Sequence, residues 1–214
     1  LTGHYGTGKT EVSVNLALAL AAEGEQVMLA DLDIVNPYFR SRERRPLLEK
    51  AGVRVISSSQ ACSDADVPAL PAELLTILEN REIRGILDIG GDPVGARVLA
   101  RFQPKIVQED YQLIFVLNAN RPEVRDAESA AAYLRSIEAV TGLTCSGLVN
   151  NTHLCGETTP AEIRKGAALA QEVSRQTGIP ILCHTAERRF LESLSDLGEP
   201  VFPIAINMKK PWER

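Results

Sequence analysis

Apolar and polar positions follow two rhythms along the chain. Short apolar runs bounded by glycine or polar residues occupy 26–33 (QVMLADLD), 53–57, 84–89 (RGILDI), 111–118 (YQLIFVLN), 145–150 (CSGLVN), 179–184 (IPILCH) and 201–206 (VFPIAI). Near-continuous apolar runs of this length predict strands buried on both faces. Pro203 inside the last run lacks an N–H for a ladder, which places that strand at a sheet edge. Between the runs, helical periodicity predicts helices over 38–50, 72–80, 94–108, 123–140, 160–177 and 187–195. Residues 12–22 are apolar nearly all round, as in a helix buried on most sides.

Strands alternating with helices dictate an α/β fold, a mostly parallel, doubly wound sheet of about seven strands in a three-layer α/β/α sandwich. Ligands on such sheets bind beyond the carboxyl ends of the strands. Every chemical motif in the chain falls at such an end.

The first is Gly3-His4-Tyr5-Gly6-Thr7-Gly8-Lys9-Thr10, within LTGHYGTGKTE, which fits GxxxxGK[ST] in full. Glycines let backbone N–H groups converge on phosphate oxygens, and the following helix adds its positive end. Lys9 in the first helical turn opposes the helix dipole, a conflict that a bound anion removes. Gly3, Gly6, Thr7, Gly8, Lys9, Thr10 and Glu11 are therefore the expected nucleotide-binding residues. Lys9 is also the expected catalytic cation, and the Thr10 hydroxyl an expected Mg²⁺ ligand. In P-loop folds a strand leads into this loop, yet only Leu1 and Thr2 precede Gly3. About five residues of a central strand are expected ahead of Leu1.

The second motif is Asp31 and Asp33 at the end of LADLD, which period-two geometry points to one face. Phosphoryl transfer needs a Mg²⁺ ligand and a group that orients the attacking species, and two carboxylates suit both roles. The third is Asp88 in RGILDIGGD. Gly90 and Gly91 follow it and bring backbone N–H within reach of a γ-phosphate, as in a Walker B and switch segment. Asp92 is placed to cap the next helix.

Composition narrows the function. The 214 residues suit one domain, and 44% hydrophobic with 24% charged residues is ordinary for a soluble globular protein. A net charge of −5 argues against nucleic acid or an anionic membrane as the main partner. The Arg42, Arg44 and Arg45 cluster reads as a solvated helix face. Cys62, Cys145, Cys155 and Cys183 form no CxxC pair, so reduced thiols in a cytoplasmic protein are expected. A guanine reader of the [NT]KxD type is missing: the strands near 118 and 150 end in NANR and NNTH. ATP is therefore expected over GTP.

With these residues in view, the chain resembles the MinD/ParA-like P-loop ATPases, the CobQ/CobB/MinD/ParA nucleotide-binding domains, with dethiobiotin-synthetase-like members among them. The resemblance rests on the loop with its DLD strand end, on LNANRPEVRDAESA, and on GLVNN at 147–151. It implies ATP and Mg²⁺ as cofactors, Asp31 and Asp88 on the metal, and Asp33 activating water as a catalytic residue. It also implies Gly91 at the γ-phosphate and Asn150 and Asn151 at the base, Asn151 matching the asparagine that holds adenine. His184, Thr185 and Ala186 flank the base by position alone. The implied partners are ATP or ADP and a protein partner or nucleotide-dependent homodimer. The tail INMKKPWER is too short to repeat the MinD membrane helix.

One departure stands out. Many members carry a signature lysine in KGGxGK[ST] that reaches a partner's phosphates, where this chain has His4-Tyr5-Gly6. Histidine is shorter and mostly neutral near pH 7. His4 either lines the loop or touches a substrate or a partner's phosphate. Arg40, Arg42, Arg97, Arg101 and Arg121 are the candidate replacement cations, with nothing in the sequence to choose among them. Three functions fit: a Mg²⁺-dependent regulatory or assembly ATPase, an ATP-dependent metabolic enzyme of the dethiobiotin synthetase or CobB type, and a nucleotide sensor without turnover. In the second, SSSQACSDADVPALP would form a substrate loop carrying Asp64 or Asp66.

Overall fold

The strands form because their side chains are apolar on both faces, and the packing bears this out. Alternate residues of β1 (Gln26–Asp31) enter different cores: Val27 and Leu29 pack with Val12, Val14 and Val149, while Met28 and Ala30 pack with Phe115, Leu134 and Leu148. Both faces of the sheet are thus covered. Leu29, Phe115, Leu117 and Leu148 are fully buried, each contributing about 1.5–3 kcal/mol by leaving water. A computed structural model describes residues 1–33, 41–57 and 73–208. Arg40, the expected substrate loop with Asp64 and Asp66, Cys62 and the tail 209–214 lie outside the described residues.

Among the described residues all strand pairs are parallel. One sheet runs β2 (Arg54–Ser57), β1, β3 (Ile83–Asp88); the other runs β4 (Leu113–Leu117), β5 (Cys145–Asn150), β6 (Ile181–Glu187), β7 (Val201–Ile204). Leu1 and Thr2 join the two. The Leu1 nitrogen donates to the Leu87 carbonyl at 2.7 Å, and Ile89 N–H donates to the Leu1 carbonyl at 3.3 Å. On the other side Thr2 N–H donates to Ile114 at 2.9 Å and Val116 N–H to Thr2 at 2.8 Å. Behind Leu1, a cavity of about 620 Å³ separates the starts of β3 and β4, lined by Ile83, Gly85, Leu113 and Ile114.

Parallel register gathers the motifs at one edge. Asp31 pairs with Asp88, Leu117 with Asn150, and Asn150 with His184. Pro203 lies in β7, the edge strand, as its missing N–H requires.

The helices are α1 (Lys9–Ala22), α2 (Arg45–Lys50), α3 (Glu73–Glu79), α4 (Pro93–Ala96), α5 (Gln103–Ile106), α6 (Ala127–Thr141) and α7 (Pro160–Thr177). Asp126 caps α6, accepting from Ser129 N–H at 2.8 Å, and Thr159 caps α7. Three expected helices differ. The described part of 38–50 is a 3-10 turn at Ser41–Arg44 followed by the short α2. The stretch 94–108 is broken into α4, a 3-10 segment at Arg97–Arg101 and α5, with Pro104 unable to donate in a longer helix. The stretch 187–195 is not a helix: β6 runs on to Glu187, which pairs with Ile204, and two 3-10 turns follow. Among the described residues no helix is long and apolar enough to cross a membrane.

Candidate nucleotide-binding site

Residues 3–8 leave the sheet and turn into α1, and their geometry depends on glycine. Gly8 sits at φ 84°, and a Cβ there would fall 2.2 Å from the Asn151 amide nitrogen. No side chain caps α1, so its first N–H groups face the loop mouth. The turn is braced from within: the Thr7 hydroxyl donates to the His4 carbonyl at 2.9 Å, and Lys9 Nζ donates to the same carbonyl at 3.2 Å. Lys9 is buried, which lowers its pKa against the opposing pull of Asp88, Asp33 and Asp92.

The carboxylates stand beneath this cation. Asp31 and Asp88 are 3% and 1% exposed. Both oxygens of Asp88 are buried with no partner at hydrogen-bonding geometry. Burial, then the neighbouring Asp31, pushes its pKa up to about 7, against the weaker pull of Lys9 and the nearby Thr10 hydroxyl. An orphaned buried carboxylate beside a second one suits a divalent cation. Among the described residues no group of three or more His, Cys, Asp or Glu forms a metal cage. Mg²⁺ does not need one, since it keeps several waters and binds one or two carboxylates plus substrate phosphates. Thr10, Asp31 and Asp88 fit that donor set.

Asp33 is half-buried and its backbone N–H donates to Asp31 Oδ1 at 3.2 Å. Its carboxylate faces Gly90, 3.4 Å from where a Cβ would stand. Gly91 packs on the loop: a Cβ there would lie 2.7 Å from Tyr5 Cα and 2.8 Å from Lys9 Nζ. Asp92 caps α4, accepting from Gly95 N–H at 2.5 Å.

Besides Thr7 and Lys9, three more of the expected binding residues are engaged by protein groups. Asn151 Nδ2 donates to the Thr7 carbonyl at 2.8 Å, and its Oδ1 accepts from the Thr185 hydroxyl at 2.5 Å. Asn150 donates to the Ile163 carbonyl at 3.0 Å and accepts from Thr152 N–H at 3.1 Å, fixing β5 to α7. The Glu11 carboxylate accepts from the N–H groups of Asn207 at 2.8 Å and Met208 at 3.0 Å, holding the chain after β7 against α1.

His4 faces α6 and the turn before it. Its ring meets Tyr133 edge-on with centroids 4.9 Å apart, and Nδ1 lies 3.8 Å from Glu123. Tyr133 also donates its hydroxyl to the Gly91 carbonyl at 2.6 Å. It thereby ties His4 to the segment after β3. Sequence reasoning did not find Tyr133, since nothing near it in α6 signals a contact with residues 4 and 91. Of the candidate cations, Arg97 and Arg101 are exposed, whereas Arg121 Nε donates to the Gly6 carbonyl at 2.6 Å. His153 follows β5 in NNTH, with no local pattern to mark it as a site residue. Its Nε2 is buried without a partner, 3.1 Å from where a Gly8 Cβ would stand.

Over residues 3–201 the chain matches the family profile of the CobQ/CobB/MinD/ParA nucleotide-binding domain. No curated protein sequence matches it. Among solved structures it is similar to the cell division protein FtsY of Thermotoga maritima, with a TM-score of 0.59 and 22% identity over 86% of this chain and 59% of that one. It is also similar to the signal recognition particle 54 kDa protein of Aeropyrum pernix in complex with GDP, with a TM-score of 0.54 and 24% identity over 84% of this chain and 39% of that one. FtsY of Elizabethkingia anophelis in complex with GDP gives a TM-score of 0.56 and 18% identity, over 86% and 55% of the two chains. The chain spans between about two fifths and three fifths of these proteins. At this identity they establish the fold alone.

Proposed function

Because the chain belongs to the CobQ/CobB/MinD/ParA nucleotide-binding domain family, we propose that it is a Mg²⁺-dependent ATPase of the cytoplasm, switched by its nucleotide to regulate or assemble with a protein partner. The observation that carries this reading is the unpartnered Asp88 carboxylate beside Asp31, under Lys9 and the uncapped start of α1. Phosphates would lie on the loop's N–H groups and Lys9. Thr10, Asp31 and Asp88 would hold Mg²⁺, which supplies charge neutralisation at the β- and γ-oxygens when bound. Asp33, beside Gly90 at the open edge, would position the attacking water.

ATP is favoured over GTP because neither NANR nor NNTH supplies the lysine and acid that read guanine. The similar structures that hold GDP do not transfer that preference at 18–24% identity. Asp33, Gly90 and Gly91 share one edge with the loop, so a change at the γ-phosphate reaches the surface there, where a partner or second copy would sense it.

Calorimetric titration with ATP and GTP, each with Mg²⁺ and with EDTA, tests the reading. The expected result is tighter binding of ATP, and turnover that EDTA abolishes. Equal binding of GTP would overturn the base assignment; no binding of either nucleotide would overturn the whole.

A further inference from the structure

Lys9 is not the sole cation on the loop. Arg121 follows β4, at the ligand-bearing edge of the sheet, and reaches back to residue 6. Its Nε donates to the Gly6 carbonyl at 2.6 Å. The guanidinium carbon lies 2.9 Å from the position of a Gly6 Cβ, so the side chain occupies the space that this glycine leaves open. Among the described residues no carboxylate pairs with Arg121, and its two terminal nitrogens donate to no protein acceptor. Glu123, two residues on, faces His4 instead.

The neighbours leave that charge unanswered. His153, by Gly8, is driven towards the neutral form first by burial and then by the Arg121 charge, with its pKa lowered to about 4. His4 is occupied by Tyr133 and Glu123. Within the described loop, the fixed positive groups are thus Lys9 and the Arg121 fork. A guanidinium held by one nitrogen, with two free in its plane, matches the bidentate geometry of phosphate oxygens.

We propose that Arg121 is a phosphate-binding residue supplied in cis, anchored to the loop through Gly6 and donating to the diphosphate common to ADP and ATP. This rests on the nucleotide-binding reading above. It assigns to a single chain a second cation at the position where the sequence departs from the lysine-bearing pattern. Among the candidate arginines whose side chains are described, Arg97, Arg101 and Arg121, it singles out Arg121 by its contact with the loop.

The test compares wild type, Lys9→Ala, Arg121→Met and Arg121→Lys by titration with ADP, a non-hydrolysable ATP analogue and adenosine, at two protein concentrations. Arg121→Met is expected to bind ADP and the ATP analogue at least tenfold more weakly, about 1.4 kcal/mol. Its adenosine affinity is expected to match wild type, the loss to be independent of protein concentration, and Arg121→Lys to recover part of it. ADP binding within twofold of wild type would overturn the proposal. So would an equal loss for adenosine, which marks a collapsed loop, or a loss that varies with protein concentration, which marks a contact in trans. If Lys9→Ala binds ADP as wild type does, the nucleotide reading itself falls and this proposal with it. If Lys9→Ala loses ADP while Arg121→Met keeps it, only the role of Arg121 falls. Should Arg121→Met not fold, Arg121→Gln carries the same comparison.

Discussion

Asp31 and Asp88 are register partners on adjacent parallel strands, so the sheet itself sets two buried carboxylates side by side beneath the phosphate loop. Like charges in a site shielded from water repel, and burial costs Asp88 hydration that nearby Lys9 and the Thr10 hydroxyl offset only in part. The arrangement is costly without a cation. Asp88→Asn is therefore expected to raise the melting temperature of the ligand-free protein, with about 2–4 °C for each kcal/mol of relief in a domain of this size. The same variant should lose Mg²⁺-dependent turnover. Differential scanning fluorimetry with and without Mg²⁺ checks the first part; a lower melting point in the ligand-free variant would show that the charge is stabilised by something else.

Lys9 is buried yet surrounded by Asp88, Asp33 and Asp92, a balance suited to a lysine that waits for phosphate. Lys9→Ala should abolish ATP binding or hydrolysis. Unchanged nucleotide affinity together with unchanged turnover would sink the loop assignment.

Much of this site was legible before any coordinates. The loop, the DLD strand end and the acid after RGILD are local patterns, and parallel strands bring local patterns at their carboxyl ends to one edge. The bounds of β5 coincide with the apolar run 145–150, and Thr159 and Gly178 bracket α7 as its capping chemistry requires. What was illegible is long-range. Tyr133 meets residues 4 and 91 across the fold, by a ring contact and a hydrogen bond, and Arg121 was one of five arginines until its bond to Gly6 separated it from Arg97 and Arg101. The helix expected at 187–195 failed for a related reason: pairing of Glu187 with Ile204 overrides local helical pattern.

Asp33 differs from the two buried acids in being half-exposed and facing Gly90. A group that positions or activates water acts on the rate, and removal of a general base costs about 10²–10⁴-fold. Asp33→Asn should thus slow hydrolysis more than it weakens ATP binding. Single-turnover rates beside equilibrium titration separate the two effects. An equal loss of both would move Asp33 from catalysis to metal or structural support.

Asn151 occupies the position that the family resemblance gives to an adenine contact, yet its amide donates to Thr7 and Gly8 carbonyls and accepts from Thr185. An amide that braces the loop serves every nucleotide alike, whereas one that reads adenine serves ATP alone. Asn151→Ala should weaken ATP and GTP by the same factor and lower stability by about 1–3 kcal/mol, since the buried partners are left unsatisfied. Chemical denaturation measures the second effect, and competition between the two nucleotides the first. A loss confined to ATP would show that the side chain exchanges its bond to Thr7 for one to the base when nucleotide binds.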